Sequence, residues 1–288
     1  MLQFHSVAPT LELDACKSCG AVWFDPQEFE AVPEGVNESA DEAYLRGIEA
    51  QATARLEQMK PSGFTDEGPE ETWKTIPALF GFPVETNVDP LKRQPLVTWS
   101  LSAIIAFFSI WAFFHLKSAV EAFGFVPAEA LRLAGLTWMT SFFLHGGILH
   151  LVGNLYFLLI FGDNVEDHLG RWRYVLLIFA ATLTGDLVHV LAAPQSTVPS
   201  IGASGGISGV IVFYALQFPK ARLAFLFRYF LYFRWLQIPA WAALVLWMLL
   251  QFFTAGLQLS GLSNTAATAH LGGAAAGFLL WLKWRKLG

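Results

Sequence analysis

Ile201-Gly202-Ala203-Ser204-Gly205-Gly206-Ile207-Ser208-Gly209-Val210 opens an apolar segment that continues to about Phe218. It sets a serine between Gly202 and Gly205 at the start of a helix of membrane character. Glycines at such places let neighbouring backbone approach closely and leave a hydroxyl uncovered by side chains. A polar nucleophile there needs a proton acceptor and groups able to hold an oxyanion. Both have to come from elsewhere in the chain, so the reading moves outward from Ser204.

The chain has 288 residues, 55% of them hydrophobic and 14% charged, which is too apolar for an ordinary soluble domain and implies several membrane spans. Charge is unevenly distributed. Residues 1–90 hold five Lys/Arg against seventeen Asp/Glu, a net of −12. Residues 91–288 hold thirteen against six, a net of +7. An acidic front therefore joins a basic, apolar body near Pro90. The N-terminus has no basic region followed by an apolar core, so a secretory signal peptide is not expected. Cys16 and Cys19, the only two cysteines, are too close together to staple separate elements.

Three divisions are expected: residues 1–36, 37–90 and 91–288. In the first, Cys16-Lys17-Ser18-Cys19-Gly20 followed by Val22-Trp23-Phe24-Asp25 resembles the second half of a zinc ribbon. Tetrahedral zinc takes four ligands, normally from two such turns. Here His5 is the one nearby candidate for a third ligand. Zinc at Cys16 and Cys19, with a first CxxC lost to a start placed too late, stands beside a vestigial turn as the two readings. Ser39-Ala40-Asp41-Glu42 is a capping-box pattern that opens a helix to about Met59, stopped by Pro61. Residues 61–72 read as a linker, and Thr75 to Pro90 as an interfacial segment.

Six apolar stretches follow, at roughly 96–116, 147–162, 174–193, 203–218, 237–257 and 267–283. The expected fold is all-α, a polytopic six-helix membrane bundle with a small cytoplasmic N-terminal region. The second and fourth stretches are short for full spans, which is tolerated where protein surrounds them. Lys92 and Arg93, Arg171 and Arg173, the group Lys220, Arg222, Arg228 and Arg234, and finally Lys283, Arg285 and Lys286 all fall on one side. By the positive-inside rule that side, with both termini, is cytoplasmic. Ser204 and His270 then begin helices entering from the outer side. They lie at similar depth, a few Å to about 10 Å below that surface at roughly 1.5 Å per residue.

Ionisable residues inside a membrane are costly, so each invites a functional reading first. His150 and Asn154, four apart, share a helical face near the outer end of the second span. Both can donate hydrogen bonds, which suits an oxyanion hole completed by the Ser204 backbone N–H. Gly273 and Gly277 give the sixth span a small-xxx-small face for approach to the fourth. That approach brings the His270 imidazole within reach of Ser204.

His145-x4-His150-x3-Asn154, then Gly202-Ala203-Ser204-Gly205, then Ala269-His270-x2-Gly273-x3-Gly277, in that order, resemble the motifs of the rhomboid family. The resemblance covers about residues 91–285, including Phe161-Gly162-Asp163-Asn164-Val165-Glu166-Asp167 after the second span. It implies an intramembrane serine endopeptidase of a bacterial plasma membrane, working without a catalytic cofactor. Ser204 is then the nucleophile, His270 its general base, and His150 and Asn154 the oxyanion donors. Gly202 shapes the serine loop with Gly205 beside it. His145 ties the second span to the first outer loop. The implied partners are lipid and single-pass or polytopic membrane proteins, and no nucleic acid. Small or helix-breaking residues near the outer membrane edge mark the expected substrates, because a helix must unwind before its carbonyls are open to attack.

Competing readings attach to the same residues. Ser208 also fits Gly-x-Ser-Gly and lies one turn deeper than Ser204. His145, His150 and His270 are weighed as a metal site, although no His-Glu-x-x-His motif exists and asparagine is a poor zinc ligand. Asp186 and His189 read as buried polar packing, or as a third member orienting His270. Glu166 and Asp167 read as solvated charge at the inner boundary, or as structural by the resemblance. The first outer loop has Arg132 and Trp138 but no adjacent Trp-Arg pair, so no loop function is carried over. The runner-up for the whole chain is a proteolytically inactive protein of the same fold that binds client transmembrane helices. A transporter would show repeated halves and broken helices near the midplane, and no internal repeat is visible.

Overall fold

The computed structural model describes residues 2–5, 12–15, 22–23, 63–65, 69, 75–86, 90–229 and 232–286. These fall into two compact units, Met1–Lys60 and Pro61–Gly288. In the first, β1 (Leu2–His5), β2 (Glu12–Ala15) and β3 (Val22–Trp23) pair antiparallel in that order, with Leu2 opposite Ala15 and Asp14 opposite Trp23. Cys16, Cys19 and the helix expected over residues 39–59 lie outside the described residues.

The second unit is built on six principal helices: α1 (Leu96–Phe113), α2 (Ile148–Leu169), α3 (Arg171–Ala192), α4 (Ser204–Gln217), α5 (Ala240–Leu259) and α6 (Ala267–Trp284). Among the described residues, α1, α2, α3 and α5 are long and apolar enough to cross a bilayer. Their outward surfaces are apolar. Phe107, Ile110 and Trp111 of α1 and Leu249, Phe252 and Phe253 of α5 are exposed, as side chains that face lipid would be. α4 has only 14 residues, yet Gly206 to Val210 and Val212 to Ala215 are all buried. A helix wrapped in protein this way need not span the hydrocarbon by itself.

α2 runs seven residues past its expected end. The polar run Asp163-Asn164-Val165-Glu166-Asp167 continues the helix instead of following it. Its polar side chains find partners inside the protein. Glu166 accepts from the backbone N–H groups of Val97 (3.0 Å) and Thr98 (2.8 Å) and from the Thr98 hydroxyl (2.9 Å), so it satisfies the open N-terminus of α1. The solvated-charge reading of Glu166 is thereby corrected. Gly170 then turns the chain at φ +73°, where a Cβ would be strained, and α3 starts at the next residue.

The basic loop expected between the fourth and fifth spans is a β-hairpin. β4 (Gly63–Thr65), β5 (Val84–Thr86), β6 (Arg222–Tyr229) and β7 (Tyr232–Pro239) form an antiparallel sheet in the order β4-β7-β6-β5. β6 and β7 pair from Arg222 with Pro239 to Tyr229 with Tyr232. Aromatic and aliphatic residues crowd both strands, as pleated surfaces favour. Ala78, Val84, Ala224 and Trp235 close a small core beneath them. The segment expected to lie at the interface is thus folded in, as a short helix (Thr75–Leu79) followed by β5. The Tyr156 hydroxyl donates to the Pro83 carbonyl (2.5 Å), and the Asn164 amide and Tyr214 hydroxyl both donate to Glu85. Because Gln237–Pro239 belong to β7, α5 begins at Ala240 rather than 237, with the extended Pro239 before it.

Candidate active site

Ser204 is the first residue of α4, and the loop before it is strapped to the long connection between α1 and α2. Phe125 and Ser200 exchange backbone hydrogen bonds (3.0 and 2.6 Å), and the Gly202 N–H donates to the Ser141 carbonyl (2.9 Å). Gly202 has φ +123°. A Cβ there would stand 3.0 Å from His150 Nε2 and 3.8 Å from Ser204 Oγ. Both the backbone angle and the space therefore call for glycine. The same point in space therefore lies between the Ser204 hydroxyl and the His150 imidazole.

His270 sits in the first turn of α6 and its Nε2 meets Ser204 Oγ at 2.8 Å. Its Nδ1 meets Gln251 Oε1, also at 2.8 Å. A carboxamide oxygen only accepts, so the Nδ1 proton is on the ring and Nε2 is left as an acceptor for the serine proton. What brings α6 to α4 is glycine against glycine. Gly273 lies on the Gly205 carbonyl and Gly277 on the backbone of Gly209. On the opposite flank, Gly185 of α3 leaves room for the Ala269 carbonyl, 2.6 Å from where a Cβ would project.

His150 and Asn154 lie in the first two turns of α2. His150 Nδ1 accepts from the Gly146 N–H (3.3 Å), which assigns the ring proton to Nε2, the nitrogen beside Gly202. Asn154 Nδ2 donates one hydrogen to the His150 carbonyl (2.9 Å) and keeps its second for the cavity. That cavity, about 600 Å³, is lined by Ser141, His150, Asn154, Asp186, Ser204 and His270 among others. The leading N–H groups of α4 add to these donors, because the start of a helix has no intrahelical acceptor for them.

His145 is fully buried below His150, with ring centroids 4.9 Å apart. Its Nδ1 meets Ser109 Oγ (2.9 Å), whose hydroxyl donates to the Phe143 carbonyl (2.9 Å), so α1 holds the entry to α2. Ser208 donates its hydroxyl to the Ser204 carbonyl (2.7 Å) and lies a full turn along α4 from Ser204. Among the described residues no three His, Cys, Asp or Glu side chains converge as a metal site. His189 meets Thr268 Oγ1 (2.8 Å) and Gln258 Nε2 (3.2 Å), a buried cluster two residues from His270. Asp186 is buried at the cavity wall, with Oδ2 unpartnered. In the connection between α1 and α2, Arg132 donates to the carbonyls of Glu121 and Gly124, and Trp138 to that of Ala130.

A model described as the rhomboid domain matches residues 132–286, just over half of the chain and the whole of this site. The chain belongs to the rhomboid family. RHOMBOID-like protein 12, mitochondrial, of Arabidopsis thaliana is 27% identical over 217 residues, 68% of this chain and 60% of that protein. Human presenilin-associated rhomboid-like protein, mitochondrial, is 27% identical over 186 residues, 64% and 47% of the two chains. RHOMBOID-like protein 5 of Arabidopsis thaliana is 36% identical over 83 residues, 29% and 25%. The chain thus spans about half to three fifths of the length of the first two relatives. These relatives overturn the expectation of a bacterial plasma membrane, since the longer matches are to mitochondrial rhomboid-like proteins.

Two amide side chains had escaped the sequence reading. Gln251 and Gln258 are seven apart on α5, two turns on one face, and both reach residues at the start of α6. The available signal was an amide inside an otherwise apolar span, which hydrocarbon tolerates only where a partner waits.

Proposed function

We propose that this rhomboid protein is an intramembrane serine endopeptidase acting on transmembrane helices through Ser204 and His270. The observation that carries the proposal is the 2.8 Å contact between Ser204 Oγ and His270 Nε2 in a cavity whose facing wall presents His150 Nε2–H. His270 takes the Ser204 proton as Oγ attacks a peptide carbonyl, forming a tetrahedral intermediate. Its oxyanion is held by His150, the free Asn154 N–H and backbone N–H groups of the α4 start. The intermediate collapses as His270 returns the proton to the amine leaving group. Water then attacks the acyl-serine with His270 again as base, releasing the new carboxylate and the free serine. Substrates are membrane proteins whose helices open next to the cavity, and the names of the relatives suggest a mitochondrial membrane.

The test is labelling of the detergent-solubilised full chain by a fluorophosphonate probe, in wild type, Ser204→Ala and His270→Ala. Labelling present in wild type and lost in both variants supports the dyad. Equal labelling of all three removes it.

A further inference from the structure

We infer that Gln251 of α5 is a positioning residue that holds His270 in the tautomer needed for base catalysis. The inference rests on the dyad reading above. A histidine next to a serine can be joined by the same contact in two ways. With the proton on Nδ1, Nε2 accepts the serine hydrogen and the ring can act as base. With the proton on Nε2, the ring donates to the serine oxygen and blocks its deprotonation. Nothing about the Ser204–His270 distance selects between the two. The group on the far side of the ring does.

That group is Gln251 Oε1, 2.8 Å from Nδ1. Gln251 is itself only 8% exposed and is flanked along its helix by Leu249, Leu250, Phe252 and Phe253. In such surroundings an Nδ1–H without an acceptor is costly, and so is an amide oxygen without a donor. The pair therefore favours one tautomer from both ends. Its second anchor is two turns along. Gln258 Oε1 accepts from the Thr268 N–H (3.0 Å), so the amide face of α5 grips α6 at His270 and again two residues before it. α5 shows more of its surface outward than α2 or α3 does, and these amides fix where it meets the base. The arrangement does the work that a carboxylate does in a serine–histidine–aspartate triad, with a neutral group suited to a site at membrane depth.

The role separates cleanly from packing. Leucine in place of Gln251 keeps the volume and removes a buried polar group, so it should not unfold the bundle. It leaves Nδ1–H without an acceptor, so the proton moves to Nε2. Glutamate in place of Gln251 keeps an acceptor at the same reach. The experiment uses the full chain in detergent, with the fluorophosphonate probe read as a rate constant alongside the apparent Tm, for wild type, Q251L and Q251E. We expect Q251L to hold its Tm and label about 10- to 100-fold more slowly, less than the loss caused when a charged orienting group is removed. Q251E should label at least several-fold faster than Q251L. An independent readout does not depend on either variant. The 15N spectrum of histidine-labelled wild type, with His270 assigned by its loss in His270→Ala, should show protonated Nδ1 and unprotonated Nε2. Q251L labelling at the wild-type rate overturns the inference, as does Q251E as slow as Q251L, or a wild-type His270 protonated on Nε2. Absence of Ser204-dependent labelling in wild type instead defeats the dyad reading, and with it the catalytic meaning of the tautomer.

Discussion

Gly273 of α6 rests directly on the carbonyl of Gly205, the residue after the candidate nucleophile, and no side chain fits between them. His270 is three residues earlier on the same helix and Ser204 one residue earlier on the other. The backbone contact therefore fixes the separation of the Ser204 and His270 side chains. Valine at 273 must push α6 away from α4. Overpacking of this kind costs about 1–3 kcal/mol, and a displacement near 1 Å in a reacting pair costs about 100-fold in rate. Gly273→Val should therefore lose labelling by about that factor or more, with a lowered apparent Tm. Labelling at the wild-type rate would show that the glycine contact does not set the dyad.

Ser204 and Ser208 share a helix face, but only Ser204 meets an imidazole. Ser208 spends its hydroxyl on the carbonyl one turn back. Ser204→Ala should abolish cleavage of a transmembrane reporter, a loss of at least about 1,000-fold if nucleophile and base act as a unit. Ser208→Ala should stay within a few-fold of wild type. A reversed pattern in a paired cleavage assay would move the nucleophile one turn deeper.

His150 has its Nε2–H aimed at the space beside Gly202, and its position is fixed from behind by Gly146 and by the His145 ring. A donor that meets charge only as it develops should contribute to turnover far more than to binding. His150→Ala is expected to lower kcat by about 100- to 1,000-fold with KM changed little. Steady-state kinetics on a reporter helix checks this. A rise in KM at constant kcat would make His150 a substrate-binding group instead.

The residues of the candidate site could be picked out from the sequence because each motif is local. His150 and Asn154 share a face by spacing, and Gly273 and Gly277 mark where α6 can touch another backbone. Gln251 was hidden because its partner is on another helix and no short pattern announces that meeting. The hairpin β6–β7 was hidden for a different reason. Its arginines read as loop charges, and the strands that complete its sheet come from residues 63–65 and 84–86, more than 130 positions away. The length of α2 was underestimated because hydropathy ends where Asp163 begins. The helix continues there because Asn164 and Glu166 have partners on β5 and α1 that no hydropathy window sees.

Glu166 offers a test that separates stability from chemistry. It lies at the end of α2 opposite His150, about four and a half turns away along the helix, and its hydrogen-bond partners Val97 and Thr98 do not line the cavity. Its carboxylate closes the N-terminus of α1 by accepting from Val97, from Thr98 N–H and from the Thr98 hydroxyl. Alanine at 166 leaves those donors buried and unsatisfied, at about 1–3 kcal/mol. At about 2–4 °C per kcal/mol for a domain of this size, Glu166→Ala should lower the apparent Tm by several degrees. The fraction that remains folded should label at the wild-type rate, since Ser204 and His270 are held by α4 and α6. Thermal unfolding and labelling measured on one preparation decide the matter. An unchanged Tm would mean that water replaces the carboxylate at the α1 terminus, and a slowed label in folded protein would mean that α1 transmits to the site through Ser109 and His145.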